Sequence, residues 1–271
     1  EAIAPPIVGH AIEARLYAED AARDFLPAAG TLRRFDVPED PGIRLDSGVV
    51  SGDEISTNYD PMLAKVIAHG ATRQEARARL ARTLRRTRVN GVTTNRALLV
   101  GILENEQFAA GQIDTHFLDR TDYHELAGTE SRGVEAAAPI AAAMTAQAGR
   151  RASAHVLATI PSGFRSAHSQ MQTQSYVIGD RETTVAYRLG REQRIELDGQ
   201  PVDVELISVT PETADLVVGG VRRRFEVEVA GSTAYVSWAD GTVELALLPR
   251  FPDHSDHVAA GSLVAPMPGT V

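Results

Sequence analysis

Polar and apolar residues alternate from Ala11 to Tyr17, which predicts a strand with Ile12, Ala14 and Leu16 on one face and Glu13, Arg15 and Tyr17 on the other. The runs Ile43 to Val50 and Met62 to His69 also predict strands, and Asn58 to Pro61 has turn chemistry. Thr72-Arg73-Gln74-Glu75 is a capping-box sequence, in which hydroxyl and carboxylate satisfy amides left open at a helix start. The helix it opens places Ala76, Leu80 and Leu84 on one stripe and arginines on the others. Asn90-Gly91 predicts a left-handed C-cap for it. Thr94 is placed to cap a second helix, with Leu98, Leu99, Ile102 and Leu103 inward.

Residues 121–133 carry little apolar content and predict a linker. Val134 to Gln147 is alanine-rich, with Ile140 and Met144 four apart, and predicts a helix that begins near Pro139. Its pattern continues toward Val156, with Gly149 as a weak point. From Ser169 to Leu248 the period changes to two. Eight runs predict strands: Met171 to Ile178, Thr183 to Leu189, Arg194 to Leu197, Val202 to Val209, Ala214 to Val218, Arg222 to Val229, Thr233 to Trp238 and Val243 to Leu248. Turn pairs such as Asp198-Gly199 and Gly219-Gly220 punctuate them. Short strands at this spacing argue for a closed or nearly closed antiparallel barrel, and the fold class is α+β.

The 271 residues allow one large domain or two small ones, and no apolar run reaches the length of a membrane span. Glu1 to His10 has no signal-peptide pattern. A net charge of −9 argues against a nucleic-acid surface or a polybasic membrane patch. The arginine-rich face from Arg77 to Arg88 lacks interleaved aromatic residues and is expected to be a solvated helix face. The absence of cysteine fits a cytoplasmic protein. Lys65 is the single lysine, and it stands within an apolar run.

Two patterns bear on chemistry. Arg15 in mid-strand, two residues from Glu13, suits a site that holds an anion; an ion pair on a solvated sheet face is the other reading. His254 and His257 have the spacing of a metal pair but no third ligand nearby, so no metal site is expected. No glycine-rich nucleotide loop is present, and Gly219-Gly220 is read as a hairpin turn.

The segment Gly9 to Pro27 resembles the opening of the C-terminal domain of biotin carboxylase, as found in biotin-dependent acyl-CoA carboxylases. Further similar runs follow in family order: Phe25-Leu26-Pro27 with Gly30, Gly42-Ile43-Arg44, Tyr59 to Lys65, and Gly91-Val92-Thr93-Thr94-Asn95. Ala265 to Val271 resembles the start of a biotinyl carrier domain. The helix-plus-barrel stretch is similar to the BT domain of propionyl- and methylcrotonyl-type alpha subunits, on position and architecture more than motif. The resemblance implies a biotin carboxylase C-terminal α+β domain over 1–120, a linker over 121–133 and a BT-like helix and β-barrel over 134–250. A tether over 251–261 and a carrier start over 262–271 complete it.

For chemistry the resemblance implies a parent ligase that uses ATP, magnesium and bicarbonate to carboxylate biotin. The nucleotide and metal residues would belong to an ATP-grasp portion of the family's subunits. Arg15 would face bicarbonate and biotin, with Glu13 orienting it, and Arg44 would lie at a contact with another alpha subunit. Tyr59 and Asp60 would hold the domain fold. Phe164 and Arg165, in Pro161 to Arg165, resemble a loop of methylcrotonyl-type subunits and would meet a carboxyltransferase beta subunit. The family's biotin-accepting Ala-Met-Lys-Met turn is absent from this sequence, so biotin is expected to be attached outside it and this polypeptide alone to be inactive. A non-catalytic docking module, joining carboxylase and carboxyltransferase components, is the alternative; an unrelated α+β domain is the weaker third.

Overall fold

The computed structural model describes residues 6–127, 137–156, 170–190, 193–239 and 241–250. The first part holds β1 (His10–Tyr17), β2 (Glu19–Asp20), β3 (Leu26–Pro27), β4 (Gly30–Thr31), β5 (Arg34–Asp36), β6 (Ile43–Ser47), β7 (Glu54–Ile55) and β8 (Met62–Gly70). Then come α1 (Arg73–Arg86), β9 (Arg88–Asn90), α2 (Arg96–Glu104), α3 (Glu106–Ala110) and α4 (Tyr123–Ala127). The second part holds α5 (Ala137–Ala152), β10 (Gln172–Ile178), β11 (Arg181–Arg188), β12 (Arg194–Leu197), β13 (Gln200–Pro201) and β14 (Val204–Val209). It ends with β15 (Thr213–Val218), β16 (Val221–Ala230), β17 (Thr233–Trp238) and β18 (Gly241–Leu248).

The first part is organised by an antiparallel sheet in the order β1-β8-β6. The alternation in β1 buries Ala14 and Leu16 and leaves Glu13 and Arg15 exposed. Ala14, Val66 and Ala68 meet Leu80, Ala81 and Leu84 of α1 and Val100 and Leu103 of α2. Leu80 and Leu84 are fully buried, and each such leucine contributes about 1.5–3 kcal/mol of transfer free energy. The sheet therefore has one face under helices and one open face.

The helix termini differ from the sequence expectation in instructive ways. Thr72 accepts from the Glu75 amide at 3.2 Å, as expected, but the Glu75 carboxylate takes the Ala71 amide at 2.8 Å. The first helix ends at Arg86, before Asn90-Gly91, because Arg88–Asn90 pairs with Arg34–Asp36. Its last carbonyls are closed by Arg96, which donates to Leu84, Arg85 and Thr87 at 3.2–3.4 Å. Gly91 serves another purpose: at φ +102° it passes the Thr31 carbonyl where a Cβ would overlap it. The arginines from 77 to 88 are not a bare solvated face. Arg77 caps Leu103, Arg79 bonds His69 and Glu75, Arg85 pairs with Glu104, and Arg82 and Arg86 share Asp40. The segment expected to link begins with α4, whose backbone at Leu126 touches Gly101 of α2.

The second part is a nine-stranded antiparallel sheet in the order β13-β12-β11-β10-β18-β17-β16-β15-β14. It curls around α5, which touches β11, β14, β15, β16 and β17. Every residue from Ala137 to Thr145 is buried, so this helix has no polar face along that length. Alanines let the strands close on it, while Tyr176, Tyr187 and Phe225 fill the remaining space from the sheet. Asp198 and Gly199, at φ +50° and +78°, make the tight turn between β12 and β13; Gly219 and Gly220 do the same between β15 and β16.

Among the described residues, hydrogen bonds from one ribbon help to join the two parts. Asn90 donates to Glu228 at 2.8 Å, Arg34 to Glu226 at 3.4 Å and Arg88 to the Trp238 carbonyl at 2.5 Å. These hydrogen bonds start on the β5–β9 ribbon.

Candidate functional site

The open face of the β1-β8-β6 sheet gathers the polar groups. Cross-strand register puts Arg15, Lys65 and Asp46 in one row and Glu13, Ile67 and Arg44 in the next. Side chains in one row share a face, so the two rows lie side by side on the uncovered surface. Arg15 Nε donates to Glu13 Oε1 at 3.0 Å. Hydrogen bonds to Glu13 first, then Tyr17, raise the Arg15 pKa, so its charge is permanent. A guanidinium has five N–H donors; Glu13 uses Nε and Tyr17 takes a further share, which leaves other terminal donors able to meet an anion. The Arg15 side chain is 56% exposed. In water such a charge does little; it becomes strong only where a second wall excludes solvent.

Arg44 lies on the same face and pairs with Asp46 at 2.8 Å, largely exposed. Asp60 accepts from the Met62 amide at 2.8 Å and so shapes the turn into β8. Tyr59 is 84% exposed and does not hold the core, contrary to expectation, because it stands at the tip of that turn. Burial, and then the charge of Asp60, raise the Glu19 pKa. Phe164, Arg165, His254 and His257 lie outside the described residues, as do 251–271.

Two members of the site escape a reading of alternation. Lys65 stands in an apolar run, yet register brings it beside Arg15 and adds a second positive charge to the row. Asn95 lies 80 residues from Arg15 in sequence and bonds its carbonyl at 3.2 Å. Its only signal was membership of the run Gly91 to Asn95. Among the described residues no group of three histidines or acids is placed for a metal. These residues form no cradle for magnesium or nucleotide phosphates.

Residues 13–120 match the biotin carboxylase C-terminal domain, and residues 135–250 match the BT domain of the methylcrotonyl-CoA carboxylase alpha subunit. The chain is similar to biotin-dependent carboxylase alpha subunits along both parts. Methylcrotonoyl-CoA carboxylase subunit alpha, mitochondrial, of Glycine max is 41% identical over 114 residues, 42% of this chain and 16% of that protein. The Rattus norvegicus protein of the same name is 27% identical over 98% of this chain and 39% of its own length. The biotin-dependent acyl-coenzyme A carboxylase alpha3 subunit of Mycobacterium leprae is 54% identical over 35% of this chain and 16% of its own. The chain thus spans well under half the length of these relatives. Both parts of the chain have a family counterpart, and the Arg15 face falls within the biotin carboxylase C-terminal match.

Proposed function

We propose that this chain supplies one wall of a biotin-carboxylating site and a barrel that docks on a carboxyltransferase beta subunit. The observation that carries the first part is the Arg15–Glu13 pair on an open sheet face, within the biotin carboxylase C-terminal match. Biotin, when bound, offers a ureido nitrogen that receives the carboxyl group derived from bicarbonate with ATP. Arg15 aims fixed positive charge and N–H donors at the oxygen that gains negative charge in that step. Glu13 holds the guanidinium in place so that little reorganisation is needed. Preorganised donors of this kind are worth about 3–4 kcal/mol when water is excluded. The excluding wall would come from the ATP-grasp portion that the family resemblance implies, together with ATP, magnesium and bicarbonate. Arg44 lies where another alpha subunit would pack.

The docking role is supported by the BT match and by a barrel whose interior is filled by its own helix, which leaves its loops for contacts. Phe164 and Arg165 are proposed as anchors to the beta subunit. The site is proposed to act in the cytoplasm; the mitochondrial location printed in two relatives' names is the alternative that fractionation decides. No helix among the described residues is long and apolar enough to cross a membrane.

Two readouts on one variant test the proposal. In the full-length subunit, Arg15→Ala should lower biotin-dependent ATP turnover on the order of a hundredfold and leave capture of the beta subunit unchanged. Unchanged turnover leaves the docking module as the surviving account. Phe164→Ala with Arg165→Ala should weaken capture and spare turnover; capture at wild-type strength would move the docking surface elsewhere.

A further inference from the structure

β1 is an edge strand of its sheet, so the backbone groups on its outer side have no ladder partner. At the level of Arg15 that edge is met by Asn95. Asn95 Oδ1 accepts from the Tyr17 amide at 3.0 Å, and Asn95 Nδ2 donates to the Arg15 carbonyl at 3.2 Å. The Asn95 amide itself donates to the Tyr17 carbonyl at 3.2 Å. One asparagine thus stands in for a partner strand across three backbone groups. It does so where the pairing of β1 with β8 slips, between Leu16 and Tyr17. At that slip, where the ladder to β8 is irregular, Asn95 braces the strand from its outer side.

Asn95 is also the N-cap of α2, a position where asparagine normally accepts from its own helix. Here its side chain makes no such bond, and Thr94 Oγ1 receives the Arg96 amide at a long 3.4 Å. The cap is given up and the side chain is spent on β1. Asn95 is 7% exposed and rooted in a helix that packs under the sheet, so it ties the Arg15 backbone to the rigid layer. Glu13 holds the guanidinium end of Arg15, and Asn95 holds the main-chain end.

We propose that Asn95 is a positioning residue for Arg15, setting the backbone from which the guanidinium reaches the carboxylation site. This rests on the proposed role of Arg15. A displacement on the order of 1 Å at a reacting group can cost a hundredfold in rate, so a residue that fixes that backbone shapes the reaction without touching substrate.

The test is a double-mutant cycle in the full-length subunit: wild type, Asn95→Ala, Arg15→Ala and the pair. The readouts are kcat and KM for free biotin in ATP-dependent turnover. Asn95→Ala should lower kcat roughly tenfold, and adding it to Arg15→Ala should lower kcat no further. Asn95→Asp keeps the acceptor for the Tyr17 amide and sets a carboxylate against the Arg15 carbonyl; it should fall between wild type and Asn95→Ala. If Asn95→Ala does not fold, Asn95→Asp enters the cycle in its place. Wild-type kcat in the single variant, or losses that multiply in the pair, overturn the proposal while leaving Arg15 catalytic. Wild-type kcat in Arg15→Ala overturns both readings at once.

Discussion

Asp198 has work on two counts. It occupies a left-handed turn at φ +50° and accepts from the Thr184 amide at 2.7 Å, from Thr183 Oγ1 at 3.1 Å and from Arg181 at 2.9 Å. The Thr184 amide first, then Thr183 and Arg181, hold its carboxyl below the usual range. A depressed folded pKa stabilises the fold above the ordinary carboxylate value, and that contribution is lost as pH falls through the depressed one. Asp198→Asn keeps a residue that tolerates the left-handed turn but removes the charge. It should cost about 1 kcal/mol near neutral pH, solvent screening included, and flatten the acid limb of the barrel's stability curve. Chemical denaturation at several pH values checks this. The turn itself was legible, since Asp-Gly favours positive φ at both positions. At the sheet face the legible part was the Arg15–Glu13 pair, because side chains two apart on a strand must share a face. Lys65 and Asn95 were not legible. The first depends on which residue of β8 stands opposite Arg15, and the second on a loop that returns 80 residues later.

Among the elements, the strand periods of the second part transferred well to structure, since most strands alternate between the barrel core and water; β17, buried throughout from Ala234 to Trp238, is the exception. That α5 lies inside the sheet was not readable from its own sequence. An alanine-rich helix has no stripe to show which way it faces, and only the surrounding strands reveal that every side is covered. This gives a sharp expectation. Ala141 is fully buried at the centre of the helix, so Ala141→Leu must push strands apart. It should destabilise the barrel by about 1–3 kcal/mol or more, whereas an isolated helix would be indifferent to that change. Thermal unfolding read by tryptophan fluorescence is suitable, because Trp238 is 6% exposed and belongs to the same core. The first helix ends short of its sequence signal for the opposite reason. Asn90-Gly91 carried a strong local stop signal, but pairing of Arg88–Asn90 with Arg34–Asp36 ended the helix earlier.

For the whole molecule, the seam between the two parts rests on polar contacts from the β5–β9 ribbon to Glu226, Glu228 and the Trp238 carbonyl. Polar seams of this sort are salt-sensitive and weaker than a shared core. Glu226→Gln with Glu228→Gln should therefore resolve one calorimetric transition into two and leave the fold of each part intact. A single unshifted transition would show that the coupling lies elsewhere. The proposed carboxylating face and the proposed docking barrel lie one on each side of the seam. Labelled bicarbonate provides the most direct check of the central claim, through ATP-dependent transfer of its carbon to biotin in the assembled holoenzyme bearing Arg15→Ala. The account predicts transfer reduced on the order of a hundredfold at unchanged assembly mass, as befits a lost preorganised donor. Transfer at the wild-type rate would contradict it.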